Sequence, residues 1–178
     1  MSQAPAQTDD GWSGQVYDLI KDAEISLVTT VPDAGLTRLL NMCADDGGIR
    51  VVTLSTEEEG VGIGYGAWLG GARSILCLQS SGTGNIINGL ALPAFAESPF
   101  LMLVTMRGQE GEGNPAQFPM GRAVKTVFEA MGVTCLEAAS AEEVATHFKS
   151  ATRMVFDESK MVAVLIAQTV IGAKTFGK

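Results

Sequence analysis

Charge is scarce in this 178-residue chain, where Asp, Glu, Lys and Arg together make up 18% of residues against 46% hydrophobic. That balance excludes disorder over most of the length. It also suggests that much of the surface is covered, most simply by other subunits. Positive charge is scarcer still: 12 Lys and Arg stand against 20 Asp and Glu, for a net charge of −8. Nucleic acid, which calls for basic patches, is excluded as a partner. A small anionic substrate is not, because local arginines override a global charge. The one histidine, His147, lies in a polar stretch and reads as a surface residue, so histidine triads and zinc sites are poor fits and no metal ligand is assigned. Three cysteines, Cys43, Cys77 and Cys135, form no CxxC pair; they read as reduced, buried thiols of a cytoplasmic protein. No apolar run approaches a membrane span. The N-terminal "MSQAPAQTDDGW" has neither the basic nor the apolar region of a signal peptide. Phosphate-loop signatures are missing as well: there is no GxxxxGK[ST], and neither "GIGYG" nor "GTGN" completes GxGxxG.

What is present alternates between helix and strand. Residues 1–10 read as a mobile tail and 11–178 as one domain. Helical spacing in "WSGQVYDLIKDA" is followed by the strand run "ISLVTTVPD", the amphipathic "AGLTRLLNMCADD" and the strand "IRVVTLS". After a glycine-rich helix come the strand "SILCLQ", a turn "SGTGN" opening a helix over "IINGLALPAFAES", and the strand "FLMLVTM". A sixteen-residue loop, "RGQEGEGNPAQFPMGR", is too long to be an idle connection. Helix, strand, helix and strand then complete the pattern in "AVKTVFEAMG", "VTCLEA", "SAEEVATHFKSATRMVFDES" and "MVAVLIA". The expected fold is α/β, a three-layer α/β/α sandwich around a six-stranded parallel sheet. Ligands in such sheets sit at the carboxyl ends of the strands, here "VPD", "STEEE", "SSGTG", "MRGQ" and "IAQT".

The stretch "STEEEGVGIGYGAWLGG" sets three glutamates against six glycines. Ser55 with Glu58, or Thr56 with Glu59, fits a capping box, and carboxylates suit the positive end of a helix. Six interior glycines, however, cost roughly 5 kcal/mol of helix propensity. Gly60, Gly64, Ala67 and Gly71 fall on one narrow stripe, which a surface helix does not need but a closely approached, intersubunit helix does. A carboxylate then stands at the mouth of a tightly packed helix.

From "TEEEG" to "LVTMRG" the chain resembles the pyrimidine-binding domain of thiamine diphosphate decarboxylases. The family motif is a glutamate followed at +3, +7 and +9 by small residues, then a strand and a glycine loop. Glu57 fits, with Gly60, Gly64 and Gly66; Glu58 puts Tyr65 at +7 and Glu59 puts Trp68 at +9. The likeness extends to "VPDAGLTRLL" upstream and "NPAQFPMGR" downstream.

The resemblance implies that Glu57 is catalytic. It would hydrogen-bond the pyrimidine ring of thiamine diphosphate and drive the tautomer that activates the thiazolium carbon for attack on a 2-oxo acid. Glu58 and Glu59 are left to capping and surface work. It further implies Asp33 as a proton relay, with helix capping as the plain alternative. Gly82, Thr83 and Asn85 would lie near the pyrimidine, although a tight turn explains them equally. Arg107, Gln109, Gln117 and Arg122 would line a substrate loop, where a guanidinium suits a sulfonate or phosphonate. Histidines that relatives carry in that loop are missing here, which shifts attention to Gln117. The family's GDG motif for magnesium and the diphosphate is also missing, and the chain ends soon after the sixth strand. The expectation is half an active site in a hetero-oligomer, with Mg2+ and the diphosphate held by a beta subunit carrying the diphosphate-binding domain. Besides a decarboxylase of small anionic 2-oxo acids, a carboligase or transketolase-like half subunit and a non-catalytic regulatory subunit remain open.

Overall fold

The computed structural model describes residues 11–172; the tail expected over 1–10 lies outside the described residues. Six strands form one parallel sheet in the order β2-β1-β3-β4-β6-β5. In chain order the elements are α1 (Trp12–Asp22), β1 (Ile25–Thr30), α2 (Thr37–Asp45), β2 (Arg50–Thr53), α3 (Glu57–Leu69), β3 (Arg73–Gln79), α4 (Thr83–Ile86) and α5 (Ala91–Phe95). Then follow β4 (Phe100–Thr105), α6 (Phe118–Ala130), β5 (Thr134–Ala138), α7 (Ala141–Phe156), β6 (Met161–Ile166) and α8 (Gln168–Ile171).

Strand alternation builds two cores. Val28, Ile75, Leu101 and Val162 stand in register across four strands and pack under α1, α2 and α7 through Val16, Leu39 and Phe148. The residues one step along, Leu76, Met102 and Ala163, face the other way and meet Val61 of α3, Ile86, and Val124 and Phe128 of α6. Both faces of β4 and β6 are covered, so every residue in these two strands is buried. This is the expected three-layer α/β/α sandwich.

Four local expectations change. The small-residue stripe of α3 faces the chain's own sheet, not another subunit: a Cβ on Gly60 would lie 2.6 Å from Leu76 Cδ1, and one on Gly64 2.8 Å from Phe100 Cε2. The single helix expected over "IINGLALPAFAES" is two short ones. Pro93 has no N–H for the carbonyl of Gly89 four residues back, and that carbonyl accepts instead from Leu92 N at 3.0 Å. The helix expected from Ala123 begins earlier, at Phe118, with a proline in its first turn; Arg122 therefore sits within α6 and not in the loop. His147 is half-buried on α7, and its Nδ1 has no hydrogen-bond partner among the described residues.

Candidate active site

Because all strands are parallel, their carboxyl ends meet on one edge, where β1 is followed by Asp33, β2 by Glu57, β3 by Ser80, β4 by Arg107 and β6 by Gln168. The chain leaves β1 for β2 on one side and continues into β3 on the other. The crevice at that reversal is the usual ligand position in open α/β sheets.

Glu57 is the first residue of α3 and is 6% exposed, whereas Glu58 and Glu59 are exposed. Its Oε2 accepts from Asn85 Nδ2 at 2.8 Å. Beneath it lies Gly82, where a Cβ would come within 2.1 Å of Glu57 Oε1, so no larger residue fits without moving the carboxylate. The helix N-terminus adds a favourable field for negative charge. Glu59 turns back to the residue ahead of the N-cap, its Oε2 accepting from Ser55 N at 2.8 Å, while Thr56 makes no side-chain cap. Thus three glutamates consecutive in sequence have separate surroundings, and only Glu57 is inside.

Thr83 is fully buried and its hydroxyl donates to Ser80 O at 2.6 Å, so that group closes the turn. Asp33, 6% exposed, accepts at Oδ2 from Gly35 N and from Thr105 Oγ1, both at 3.0 Å. The second bond reaches past β3 to the end of β4 and ties the Asp33 turn to the crevice.

Past β4 the backbone N–H of Arg107 donates to the buried Ser80 Oγ at 2.9 Å. Arg107 is 5% exposed, and its Nε has no partner among the described residues. Gln117 Oε1, on the same loop, is likewise buried without one. Gln109 is tied to Gln168 in both directions: Gln109 N donates to Gln168 Oε1 at 3.1 Å, and Gln168 N to Gln109 Oε1 at 2.7 Å. Gln168 Nε2 also donates to Glu112 Oε2 at 3.1 Å, while Glu112 accepts from Gly108 N and Asn114 N. Burial pushes the Glu112 carboxyl up, but the Asn114 and Gly108 N–H groups, Gln168 and the nearby Arg107 outweigh it and hold the group below its ordinary range. Arg122 is exposed on α6 with its guanidinium 5.7 Å from the centre of the Phe118 ring.

Of the residues singled out from sequence, the structure brings Glu57, Gly82 and Asn85 into direct contact and sets Asp33 against Thr105. It separates the roles of the loop residues: Arg107 points inward, Gln109 serves as a clasp, and Arg122 is at the surface. Ser80, Thr105, Glu112 and Gln168 join the site although the sequence singles out none of them; Ser80 lies in "SSGTG" and Glu112 in the long loop after β4. The only sequence signal for Gln168 is its place at the end of a strand, in "IAQT".

A buried carboxylate at a helix start, held by an amide over a glycine, thus stands at the carboxyl edge of a parallel sheet, as the resemblance to thiamine diphosphate decarboxylases leads one to expect. Solved structures share the fold. Benzoylformate decarboxylase from Polynucleobacter necessarius superposes with a TM-score of 0.73 at 16% identity, over 94% of this chain and 32% of that one. A 2-oxoglutarate:ferredoxin oxidoreductase from Magnetococcus marinus gives 0.74 at 14% identity, over 96% and 33%. The chain thus spans about a third of each. No protein-family model matches it. Sequence relatives are nearer. The chain is 34% identical over 155 residues to the sulfopyruvate decarboxylase subunit alpha of Methanococcus maripaludis, covering 86% of this chain and 93% of the relative. It is 36% identical over 155 residues to that of Methanothermobacter thermautotrophicus, covering 86% and 94%. A phosphonopyruvate decarboxylase of Streptomyces viridochromogenes is 37% identical over 100 residues, 55% of this chain and 25% of the relative. The chain belongs to the family of sulfopyruvate decarboxylase alpha subunits.

Proposed function

We propose that this chain is the alpha subunit of a thiamine diphosphate-dependent decarboxylase that converts sulfopyruvate to sulfoacetaldehyde and carbon dioxide. The observation that carries the proposal is the Glu57–Asn85–Gly82 cluster. Its donor set fits the edge of an aminopyrimidine, with one buried carboxylate to exchange a proton and a glycine that leaves room beside it. When bound, the cofactor supplies the electron sink for loss of carbon dioxide. Glu57 holds and moves a proton at Oε1, while Asn85 fixes Oε2 and with it the plane of the carboxylate. Asp33 is held at Oδ2 by Thr105 and Gly35, a fixed position suited to relaying a proton at the reacting centre.

Arg107 is the group proposed to read the anionic tail of the substrate. A buried guanidinium nitrogen without a partner among the described residues is costly unless a ligand completes it, and Gln117 Oε1 on the same loop likewise has no donor among the described residues. Mg2+ and the diphosphate are assigned to a beta subunit carrying the diphosphate-binding domain, in keeping with the missing GDG motif, and the setting is taken as cytoplasmic. Among the described residues no helix is long and apolar enough to cross a membrane. The three cysteines are free; burial, with some repulsion from Asp46, pushes the Cys43 thiol up to about 11. The phosphonopyruvate decarboxylase relative makes phosphonopyruvate the second substrate to test.

The test is Glu57→Gln against Glu58→Gln in the complex reconstituted with the beta subunit. Loss of a positioned proton-transfer group lowers turnover by about a hundred- to ten-thousandfold, and only the first variant should show it. Wild-type turnover in Glu57→Gln would remove the assignment.

A further inference from the structure

Arg107, the side chain proposed to read the substrate's tail, stands near the start of the long connection from β4 to α6, residues 106–117, which contains Gly108, Gly111 and Gly113. Such a loop moves unless something fastens it, and a guanidinium displaced by an ångström meets its anion poorly. The main chain of Arg107 is fastened on two sides. Its N–H donates to Ser80 Oγ at 2.9 Å. On the other side, a Cβ on Gly121 of α6 would come within 2.1 Å of Arg107 O, and one on Gly108, at φ +79° less than a turn away in the same crowded bend, has no room either: at its own φ of +72° it would lie 2.6 Å from Gln117 O.

The clasp closes a third side. Gln168 is 1% exposed; its Oε1 accepts from Gln109 N, and its Nε2 donates to Glu112 Oε2 at 3.1 Å. The same Glu112 oxygen accepts from Gly108 N at 3.3 Å, the peptide N–H next to Arg107. A chain of hydrogen bonds thus runs from the end of β6 to the residue after Arg107. Capping of α8 accounts for part of it, since Gln168 N is a free N–H at the start of that helix and Gln109 Oε1 takes it at 2.7 Å. It does not account for the Gln168 side chain, which turns back to Gln109 N and to Glu112. Nor does it account for Glu112, whose two oxygens serve N–H groups of its own loop, Gly108 and Asn114.

We propose that Gln168, through Glu112 and Gly108, is a positioning residue for Arg107 and so helps set the preference for a 2-oxo acid with an anionic tail. The inference rests on the reading of Arg107 given above. Removing the Gln168 amide leaves Gln109 N without its acceptor and Glu112 with one donor fewer, while the backbone N–H of residue 168 still holds Gln109 Oε1. The loop stays attached, but Glu112 and the peptide it holds at Gly108 are no longer tied to the end of β6.

The test measures kcat and KM for sulfopyruvate and for pyruvate in the complex reconstituted with the beta subunit. It compares wild type, Arg107→Ala, Gln168→Met, Glu112→Gln and the double variant Arg107→Ala/Gln168→Met, with circular dichroism melting of each chain to check folding. Methionine fills the space of glutamine without its hydrogen bonds, and Glu112→Gln keeps one acceptor. Gln168→Met should narrow the preference for sulfopyruvate by about tenfold, chiefly through a higher KM, and Glu112→Gln should move it in the same direction. Arg107→Ala should narrow it at least as far, and adding Gln168→Met to that variant should narrow it no further. Glu112→Gln, a change on the loop itself, carries the comparison if Gln168→Met does not fold. An Arg107→Ala effect with unchanged preference in both clasp variants would overturn the inference and leave the reading of Arg107 standing. So would equal losses on both substrates, as a merely structural role gives, or full additivity in the double variant. Unchanged preference in Arg107→Ala would overturn the reading of Arg107 and this inference with it.

Discussion

At the scale of single residues, burial separates three adjacent carboxylates that look alike in sequence. Glu57 is enclosed, and Glu59 is turned back onto Ser55. Gly82 is as specific to the site as Glu57, because its Cα lies where any side chain would strike Glu57 Oε1 and Cδ. Gly82→Ala should therefore leave the fold intact but shift the carboxylate, lowering kcat on the order of a hundredfold. Steady-state kinetics of the reconstituted complex check this, with a melting curve of the isolated chain as the folding control. Arg107→Ala should narrow the preference for sulfopyruvate over pyruvate by roughly ten- to a hundredfold in kcat/KM, the cost of one charge-assisted bond. Arg122, exposed and lying over Phe118, should change it less. Glu57 is singled out in the sequence only by resemblance, because Gly60, Gly64 and Gly66 match the spacing of the family motif; its burial is what the structure adds. The clasp of Gln109, Glu112 and Gln168 is not legible, because it joins residues 56 and 59 positions apart that only the neighbouring of β4 and β6 brings together.

At the scale of elements, α3 shows how a sequence pattern can be right in kind and wrong in direction. A stripe of small residues implies close approach, but periodicity alone does not say by what. The inward stripe admits Leu76 and Phe100 of the chain's own sheet, and the outward glycines, Gly62 and Gly66, are the open ones. Gly62→Ala in the isolated chain should stabilise by about 0.8–1.0 kcal/mol of helix propensity, about 2–4 °C in Tm. Gly64→Ala gains the same propensity but presses on the Phe100 ring, a strain of about 1–3 kcal/mol, and should leave Tm unchanged or lower. Thermal melts of the two variants side by side distinguish the faces.

The loop after β4 carries a pH signature. The folded Glu112 carboxyl lies below its ordinary range, so it stabilises the loop at pH above that range, and the contribution is lost as pH falls through the folded value. The protection factors of Gly108 and Asn114, both donors to Glu112, should fall on acidification before those of the sheet amides do. Glu112→Gln should remove that step. The start of α6 is hidden in the sequence because Pro119 reads as a breaker, whereas the first turn of a helix accommodates it.

At the scale of the molecule, a chain with little charge and net acidity folds into an all-parallel sheet covered on both sides, yet leaves Phe95 and Leu69 in solvent. Both facts have one explanation if the chain works as half of an assembly. Architecture is legible from alternating patterns because each strand run is bounded by turn residues and the six described strands all pair in parallel. The exposed apolar side chains of α3 and α5 are not, because exposure is a property of the packed chain. The central claim is that Glu57 activates a cofactor whose diphosphate is held elsewhere. The most direct measurement is sulfoacetaldehyde formation from sulfopyruvate, with thiamine diphosphate and Mg2+ present, by the purified chain alone and after titration with the beta subunit. The account predicts no turnover by the chain alone and activity that rises with beta subunit to a stoichiometric plateau. Sustained turnover by the chain alone would contradict it.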